Sequence, residues 1–283
     1  MVKLIVLDVD GVIVGHKIGV NFPYPPKKVI DALKQVRQKG IPVVLCSGKF
    51  HHAIEPLIKK AGLNNPHITN SGSLIINPLE EGIVETFYLD NNLVSNIIDT
   101  CIKNNIHIEA FSEKGIIIQK GSSNEYILKR SRINQSEPII VDSLVDEAKK
   151  HKIFRLTAIA FNKADRQKIE KGLKNYNGLI KSVWTLHPYT NPWEYFLMTA
   201  LNASKATSLI KTAKNLGISL DDALGVGDTL GDWEFMNLCG YVATMEDASE
   251  DLKSLVKTKG EGKYLIAPSV DQNGIINIFN YFL

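Results

Sequence analysis

Residues 3–11 read KLIVLDVDG, and this stretch ends an apolar run in two aspartates. The run Leu4 to Leu7 is continuously apolar, which predicts a short buried strand. Asp8 and Asp10 then stand one residue apart, with Gly11 directly after them. Two neighbouring carboxylates are costly to bury, because each opposes ionisation of the other. The stretch therefore predicts a strand that ends beside a positively charged partner.

Composition is that of an ordinary globular protein. The chain has 283 residues, 44% hydrophobic and 22% charged, enough for one large domain or two medium ones. A net charge of +3 and scattered basic residues give no support for nucleic-acid or membrane partners. Three cysteines without a CxxC pair favour a reducing cytoplasm, and no targeting peptide or membrane-length apolar stretch is visible. We expect a cytoplasmic monomer or small homo-oligomer.

Histidine spacing does not predict a zinc enzyme. The seven histidines include no HExxH or similar ligand pattern. His51 and His52 are adjacent in a predicted helix, and we interpret them as helix surface.

Strands and helices alternate near both ends of the chain. The stretches at 3–9, 41–48, 222–228 and 241–245 read as buried strands, and those at 25–40, 50–63, 203–217 and 232–240 as helices. Such alternation predicts an α/β fold, a doubly wound, Rossmann-like parallel sheet with helices on both faces.

The middle of the chain follows a different pattern. Residues 87–200 read as helix, strand, strand, and then the same again, which predicts an α+β module with an antiparallel sheet and helices on one face. We therefore predict a core from 1–86 and 201–283, with the module at 87–200 inserted into it.

Polar side chains follow several of the predicted core strands. Ligands of open parallel sheets bind beyond the carboxyl ends of the strands, so these groups are expected to share one crevice. They are Asp8 and Asp10, then Ser47, Gly48 and Lys49, then Asp228 with Asp232, and Lys205 at the start of a helix.

This set of groups suits an anionic phosphoryl group. Carboxylates offer the hard oxygens that Mg²⁺ prefers, while Ser47, the amides beside Gly48 and the Lys205 ammonium can bind phosphate oxygens. The sequence gives no support for a serine–histidine triad and has no GxxxxGK[ST] phosphate loop.

Four motifs resemble, in order, those of the haloacid dehalogenase superfamily of phosphatases. They are DVDGV at 8–12, LCSGK at 45–49, SK at 204–205 and GDTLGD at 227–232. The stretches at 47–75 and 271–279 are similar to the Cof-type, class IIB branch, and so is a large α/β cap between the second and third motifs. The resemblance implies an Mg²⁺-dependent phosphatase acting on a small phosphorylated metabolite, such as a sugar phosphate or phosphorylated organic acid.

The resemblance also implies residue roles. Asp8 would be the nucleophile that forms an aspartyl-phosphate. Asp10 would be the general acid and then the base, with its main-chain carbonyl near the metal. Ser47 and Lys205 would hold the phosphoryl group. Asp8 and Asp228 would ligate Mg²⁺, and Asp232 would ligate it or orient its waters.

The sequence departs from the family pattern on the substrate side. Val12 replaces a threonine, Lys49 an arginine, and Gly231 an asparagine. Lys49 keeps the charge but loses the bidentate fork of arginine. In the NSGS loop, Ser71 or a shifted Asn70 would fill a substrate-side position. Gly48 and Lys49 are further candidates for binding phosphate or substrate.

Other interpretations stay open. A phosphomutase of the same branch would return the phosphoryl group to substrate, and a non-catalytic protein would only bind the phosphometabolite. A phosphoaspartate receiver module is disfavoured by the inserted cap and by Asp10.

Each residue also has a plainer explanation, and Asp228 and Asp232 can serve as N-cap and first-turn charge. Cap candidates, for which surface or core packing is the stronger interpretation, are Lys129, Arg130, Arg132, Arg155, His187, Tyr189 and Trp193.

Overall fold

A computed structural model describes residues 1–80 and 82–283, which divide into two compact units. The core unit comprises Met1–Glu85 and Ser204–Leu283, and the inserted unit comprises Thr86–Ala203. The strands are β1 Leu4–Leu7, β2 Val43–Leu45, β3 His67–Thr69, β4 Leu74–Asn77, β5 Gly82–Thr86, β6 His107–Ser112, β7 Gly115–Gln119, β8 Ile139–Val141, β9 Ile153–Ala160, β10 Lys181–Leu186, β11 Glu194–Thr199, β12 Ala223–Val226, β13 Tyr241–Met245 and β14 Tyr264–Ala267. The helices are α1 Lys27–Gln38, α2 His51–Ala61, α3 Asn91–Lys103, α4 Asn124–Asn134, α5 Leu144–Ala148, α6 Lys163–Gly172, α7 Lys205–Leu216, α8 Trp233–Met236, α9 Glu250–Lys257 and α10 Gly274–Phe282.

The core unit contains a five-stranded sheet in the order β14-β13-β12-β1-β2, and every neighbouring pair is parallel. A three-stranded sheet of β3, β4 and β5 adjoins it, since Cys46 forms a bridge with Ile68. All four residues of β1 are fully buried between β12 and β2. The predicted α/β class with a parallel sheet is therefore confirmed.

Local sequence explains where the core helices begin and end. The apolar stripe of α1, from Val29 to Val36, is buried as its spacing predicts. The helix α2 ends at Gly62, whose φ of 65° lies in the left-handed region that favours glycine. The helix α7 begins after Ser204, whose side chain accepts a hydrogen bond from the Thr207 amide. Among the described residues, no helix is both long enough and apolar enough to cross a membrane.

The inserted unit is built on a six-stranded sheet in the order β10-β11-β9-β6-β7-β8. Its pairs are antiparallel, except that β7 and β8 run parallel. Ile108, Ala110 and Leu156 of this sheet pack in one apolar cluster with residues of α3, α5 and α6. One sheet face is therefore covered by these three helices.

The helix α4 covers the opposite face, so the prediction of a purely antiparallel sheet with helices on one face is wrong. Glu109 alternates with Ile108 and Ala110 along β6 and therefore points away from their cluster. It contacts Arg130 and Tyr126 of α4. The buried side of α4 is thus largely polar, which is why its sequence lacks a clear apolar stripe.

Candidate active site

The site is built where β1 and β12 end beside each other. Leu7 pairs with Val226, and the Asp8 amide donates to the Val226 carbonyl at 2.8 Å. Asp228 follows two residues after β12. Carboxylate oxygens of Asp8, Asp228 and Asp232 lie within 4.8 Å of one another. The parallel register therefore brings together aspartates that are about 220 positions apart in sequence.

Lys205 supplies the positive charge beside these carboxylates. Its Nζ donates to Asp8 Oδ1 at 2.8 Å and to Asp232 Oδ1 at 2.6 Å. It is the first residue of α7 and is largely buried, as are Asp8 and Asp232. Four of the predicted site residues thus meet from three separate parts of the chain.

Asp232 is engaged through both carboxylate oxygens. Its Oδ2 accepts hydrogen bonds from the Asp228 amide at 3.2 Å, the Thr229 amide at 3.0 Å and the Thr229 hydroxyl at 2.8 Å. Its Oδ1 accepts from Lys205. Thr229 and Asp232 form a capping box at the start of a helical turn. The plainer explanation of Asp232, as a charge in the first turn of a helix, therefore describes its local contacts.

Sequence reasoning missed Thr229, although the spacing TxxD is a recognisable signal for such a box. This residue ties the loop after β12 to Asp232, and Asp232 in turn holds Lys205. Asp232 thus anchors both Lys205 and this loop, and one of its carboxylate oxygens lies within 4.8 Å of those of Asp8 and Asp228.

The aspartate cluster contains three carboxyl groups and only one ammonium group, that of Lys205. Burial raises the pKa of Asp8 to about 7, because Lys205 offsets that effect only in part and Asp232 and Asp10 add to it. Burial and the charges of Asp8 and Asp232 raise the pKa of Asp228 to about 8. Burial opposes ionisation of Asp232 too, but the charge and hydrogen bonds of Lys205 outweigh it and lower the Asp232 pKa.

A divalent cation fits this imbalance. Three carboxylates share one ammonium group, and burial together with their mutual repulsion raises the pKa values of Asp8 and Asp228. Burial lowers the pKa of Lys205 less than the Asp232 and Asp8 charges raise it, so Lys205 stays charged. Carboxylate oxygens in a small group are ligands that Mg²⁺ accepts.

Asp10 lies in a different environment from Asp8. It is half-buried, and its Oδ1 pairs with Lys49 Nζ at 3.0 Å. Gly11 next to it has a φ of 72°, and a Cβ added there would stand 1.9 Å from Asp228 Oδ2. Only glycine allows the turn after β1 to pass so closely against Asp228.

Ser47, Gly48 and Ser71 form a neighbouring group in the core unit. Ser47 is buried, its Oγ accepts from the Lys49 amide at 3.2 Å, and its carbonyl accepts from the Ser71 amide at 3.2 Å. A Cβ on Gly48 would lie 3.3 Å from Ser71 Oγ. Asn70 is fully buried, whereas Ser71 is half-buried, so Ser71 is the residue of this loop that reaches outward.

The cap candidates make packing contacts inside the inserted unit. Arg130 is buried against Glu109, and the Lys129 ammonium lies 4.6 Å from the centre of the Trp193 ring. Further contacts are the Arg132 guanidinium donating to Tyr189 Oη at 2.7 Å, the Tyr189 amide donating to His187 Nδ1 at 3.2 Å, and the Arg155 guanidinium 3.7 Å from the centre of the Phe111 ring.

Comparison with known proteins places this chain in a family. Residues 5–279 match the haloacid dehalogenase-like hydrolases. The phosphatase YwpJ of Bacillus subtilis (strain 168) is 22% identical over 301 residues, covering 99% of this chain and 100% of the relative.

Solved structures share the fold over the whole chain. A haloacid dehalogenase-like hydrolase from Bacteroides thetaiotaomicron superposes with a TM-score of 0.83 at 20% identity, covering 100% of both chains. A subclass IIB sugar phosphatase gives 0.76 at 18% identity, covering 99% of this chain and 98% of the other. At these identities the structural likeness establishes the fold alone. The match over nearly the full length, together with the four ordered motifs, shows that this chain is an enzyme of the haloacid dehalogenase-like hydrolase family, as the sequence predicted.

Proposed function

We propose that the protein is an Mg²⁺-dependent phosphatase that hydrolyses a small phosphorylated metabolite through an aspartyl-phosphate. The observation that carries this proposal is the position of Lys205, which bridges Asp8 and Asp232 beside Asp228. One buried ammonium next to a nucleophilic carboxylate suits a phosphoryl group, whose transfer depends on positioning and charge neutralisation.

In this proposal the carboxylates of Asp8 and Asp228 and the main-chain carbonyl of Asp10 would hold Mg²⁺. When bound, the ion would supply positive charge that offsets the negative charge of the phosphoryl group. Asp232 would ligate Mg²⁺ or orient its waters, and it also holds Lys205 and the 228–229 loop through hydrogen bonds.

The reaction then proceeds in two displacements. An Asp8 oxygen attacks phosphorus, the ester P–O bond breaks, and the leaving oxygen takes a proton from Asp10. In the second step a water oxygen attacks phosphorus, its proton passes to Asp10, and phosphate leaves as the Asp8 carboxylate is restored. Lys205, 2.8 Å from Asp8, offsets the negative charge in both steps.

Ser47, Gly48, Lys49 and Ser71 are proposed to contact the phosphoryl group or the substrate beside it. Their mutual contacts support this assignment, because they place a hydroxyl, amides and an ammonium in one small region. The inserted unit is proposed to act as the cap, over residues 87–200. The subclass IIB neighbour is a sugar phosphatase, which supports sugar phosphates as the first substrate class, with phosphorylated organic acids next.

The three cysteines are buried free thiols, which supports a reducing cytoplasm as the compartment. We propose a monomer or small homo-oligomer whose partner is the small phosphorylated substrate, with no nucleic acid or membrane partner.

A phosphate-release screen over sugar phosphates, phosphorylated acids and p-nitrophenyl phosphate tests the function. We expect turnover with Mg²⁺, loss of turnover with EDTA, and loss to background in Asp8→Asn, because an amide oxygen is a poor nucleophile. Asp146→Asn, a change at an exposed cap-unit aspartate, is the matched control and should stay active. Full activity in Asp8→Asn would contradict the nucleophile assignment.

¹⁸O-labelled water separates hydrolysis from a mutase reaction, because a mutase transfers little label to free phosphate. Binding of substrate without release of phosphate would indicate a non-catalytic protein.

A further inference from the structure

A second group of metal-ligating side chains lies in the core unit, on the first turns of α2. His51, His52 and Glu55 each offer one ligand atom, and these atoms lie within 4.8 Å of one another. The group shares no residue with the cluster of Asp8, Asp228 and Asp232. We propose that His51, His52 and Glu55 bind a divalent transition-metal ion of the Zn²⁺ type.

The donor set points to this class of ion. Two imidazole nitrogens and one carboxylate oxygen are preferred by Zn²⁺, Co²⁺ and Ni²⁺, whereas Mg²⁺ prefers oxygen ligands alone. The all-oxygen cluster at Asp8 and the nitrogen-rich group on α2 therefore select different ions, so one can be filled while the other is held by Mg²⁺.

Helix geometry brings the three ligands together. Glu55 lies one turn after His51 and His52, at the i+4 and i+3 positions that share a helix face. The His51 and His52 ring centres are 4.3 Å apart. The three ligand atoms lie within 4.8 Å of one another, and two ligands of Zn²⁺ at tetrahedral angles stand about 3.4 Å apart, so small rotations of the half-buried His52 and Glu55 side chains complete the site.

Burial makes the group partly preorganised and still accessible. His51 is only 3% exposed, and the Phe50 ring packs against both imidazoles with centres 4.3 and 4.8 Å away. His52 and Glu55 are half-buried, so an ion can enter from their side and keep water as a further ligand. The prediction that His51 lies on the helix surface is therefore wrong, because α2 turns it inward.

An ion pair of Glu55 and the helix dipole both oppose cation binding. Glu55 pairs with Lys59 at 3.6 Å, but the Lys59 side chain is 55% exposed and can turn to solvent. The positive end of the helix dipole weakens cation binding by roughly two- to five-fold. Neither effect matches the contribution of three direct ligands.

Calorimetric titration of Zn²⁺ into the full chain tests the proposal. The background variant is Asp228→Asn with excess Mg²⁺, so that the aspartate cluster does not contribute. We expect one Zn²⁺ per chain, with affinity reduced on the order of tenfold or more in His52→Gln and in Glu55→Gln. Co²⁺ absorption should show nitrogen ligation that is lost in the same variants.

The matched control is His151→Gln. Glu147 of α5 and His151, three residues beyond the end of that helix, form another i,i+4 histidine–glutamate pair, 3.0 Å apart, but with one imidazole. Zn²⁺ affinity should be unchanged in this variant. Absence of a bound Zn²⁺, equal affinity in His52→Gln, or an equal loss in His151→Gln would each overturn the proposal. Circular dichroism verifies folding, and the partial exposure of His52 and Glu55 makes both changes tolerable.

Discussion

The four site aspartates, Asp8, Asp10, Asp228 and Asp232, lie in different environments. Asp8 and Asp232 both contact Lys205, yet the pKa is raised for Asp8 and lowered for Asp232. Burial and the charges of Asp232 and Asp10 raise the Asp8 pKa, whereas the charge of Lys205 and the hydrogen bonds from Lys205 and Thr229 lower that of Asp232. Asp10 pairs with Lys49 instead. Local hydrogen bonding, more than residue type, separates the proposed roles of these carboxyl groups.

Asp10→Asn is expected to fail differently from Asp8→Asn. Asp8→Asn should block formation of the phosphoenzyme, whereas Asp10→Asn should form it from a substrate with an activated leaving group and release phosphate slowly. Loss of a general acid–base group costs on the order of 10²- to 10⁴-fold in rate. Single-turnover kinetics with 2,4-dinitrophenyl phosphate measures both steps. Indistinguishable kinetics in the two variants would refute the division of roles.

Asp232→Asn is expected to lower stability as well as activity. The change removes the buried charge that pairs with Lys205 and turns an amide donor toward donors of the loop. Lys205 keeps Asp8 as a partner, so the cost comes mainly from the mispaired buried amide and is on the order of 1–3 kcal/mol in the free energy of unfolding. Urea denaturation followed by Trp233 fluorescence provides the measurement.

The comparison for Asp232→Asn is Asp222→Asn, which removes an exposed pair with Lys3. That change should cost less than about 1 kcal/mol. Equal stability of the two variants would mean that the Asp232 network contributes little to the fold.

At the scale of elements, α4 is held to its sheet by a buried polar network. Glu109 is fully buried and receives hydrogen bonds from Arg130 Nε at 2.7 Å, from the Arg130 Nη2 and from the Tyr126 hydroxyl. Burial opposes ionisation of Glu109, but the Arg130 charge outweighs it and lowers the Glu109 pKa. Apolar periodicity does not reveal a helix that is anchored by polar contacts. We therefore predicted no helix at 124–134 from the sequence.

Glu109→Gln is expected to loosen α4, because it leaves the Arg130 charge buried with a neutral partner. The cost is about 3–5 kcal/mol, and the double change Glu109→Leu with Arg130→Met should recover much of it. Hydrogen exchange of the 124–134 peptide, read by mass spectrometry, reports this loosening directly. Glu125→Gln, which breaks the exposed pair with Lys129, should leave exchange unchanged. Unchanged protection in Glu109→Gln would show that apolar contacts suffice to hold α4.

At the scale of the whole molecule, the aspartate cluster links stability to pH and to metal. The pKa values of Asp8 and Asp228 rise from 3.8 in the unfolded chain to about 7 and about 8 in the fold. Raised values mean that the protonated forms stabilise the fold. This contribution is complete below about pH 4 and is lost as pH rises through about 7 to 8.

We therefore expect Mg²⁺ to stabilise the protein more at high pH than at low pH. A bound cation requires ionised carboxylates, so its effect grows as Asp8 and Asp228 lose their protons. Thermal unfolding in EDTA and in excess Mg²⁺, at about pH 5.5 and about pH 8, measures the difference. The Mg²⁺-dependent shift should vanish in Asp228→Asn. A shift of the same size at both pH values would contradict the linkage.

The sequence by itself determined the parallel core and the family, because both depend on local order. Apolar runs such as 4–7 and 43–45 specify buried strands. Three of the four chemical motifs stand at the end of a core strand, and SK at 204–205 begins α7. The spacing of secondary structure also indicated a separate α+β module, since helix and strand periods are read within short windows.

Only the tertiary structure decided how the candidate residues are partnered. Asp8, Lys205 and Asp232 lie in three separate parts of the chain. The register of β1 against β12 and the start of α7 decide which carboxylate oxygens accept hydrogen bonds from Lys205. The position of α4 and the inward turn of His51 were likewise decided by long-range contacts. Hydrogen bonds and burial depend on distances between segments, and a linear pattern of residue types carries no direct information about those distances.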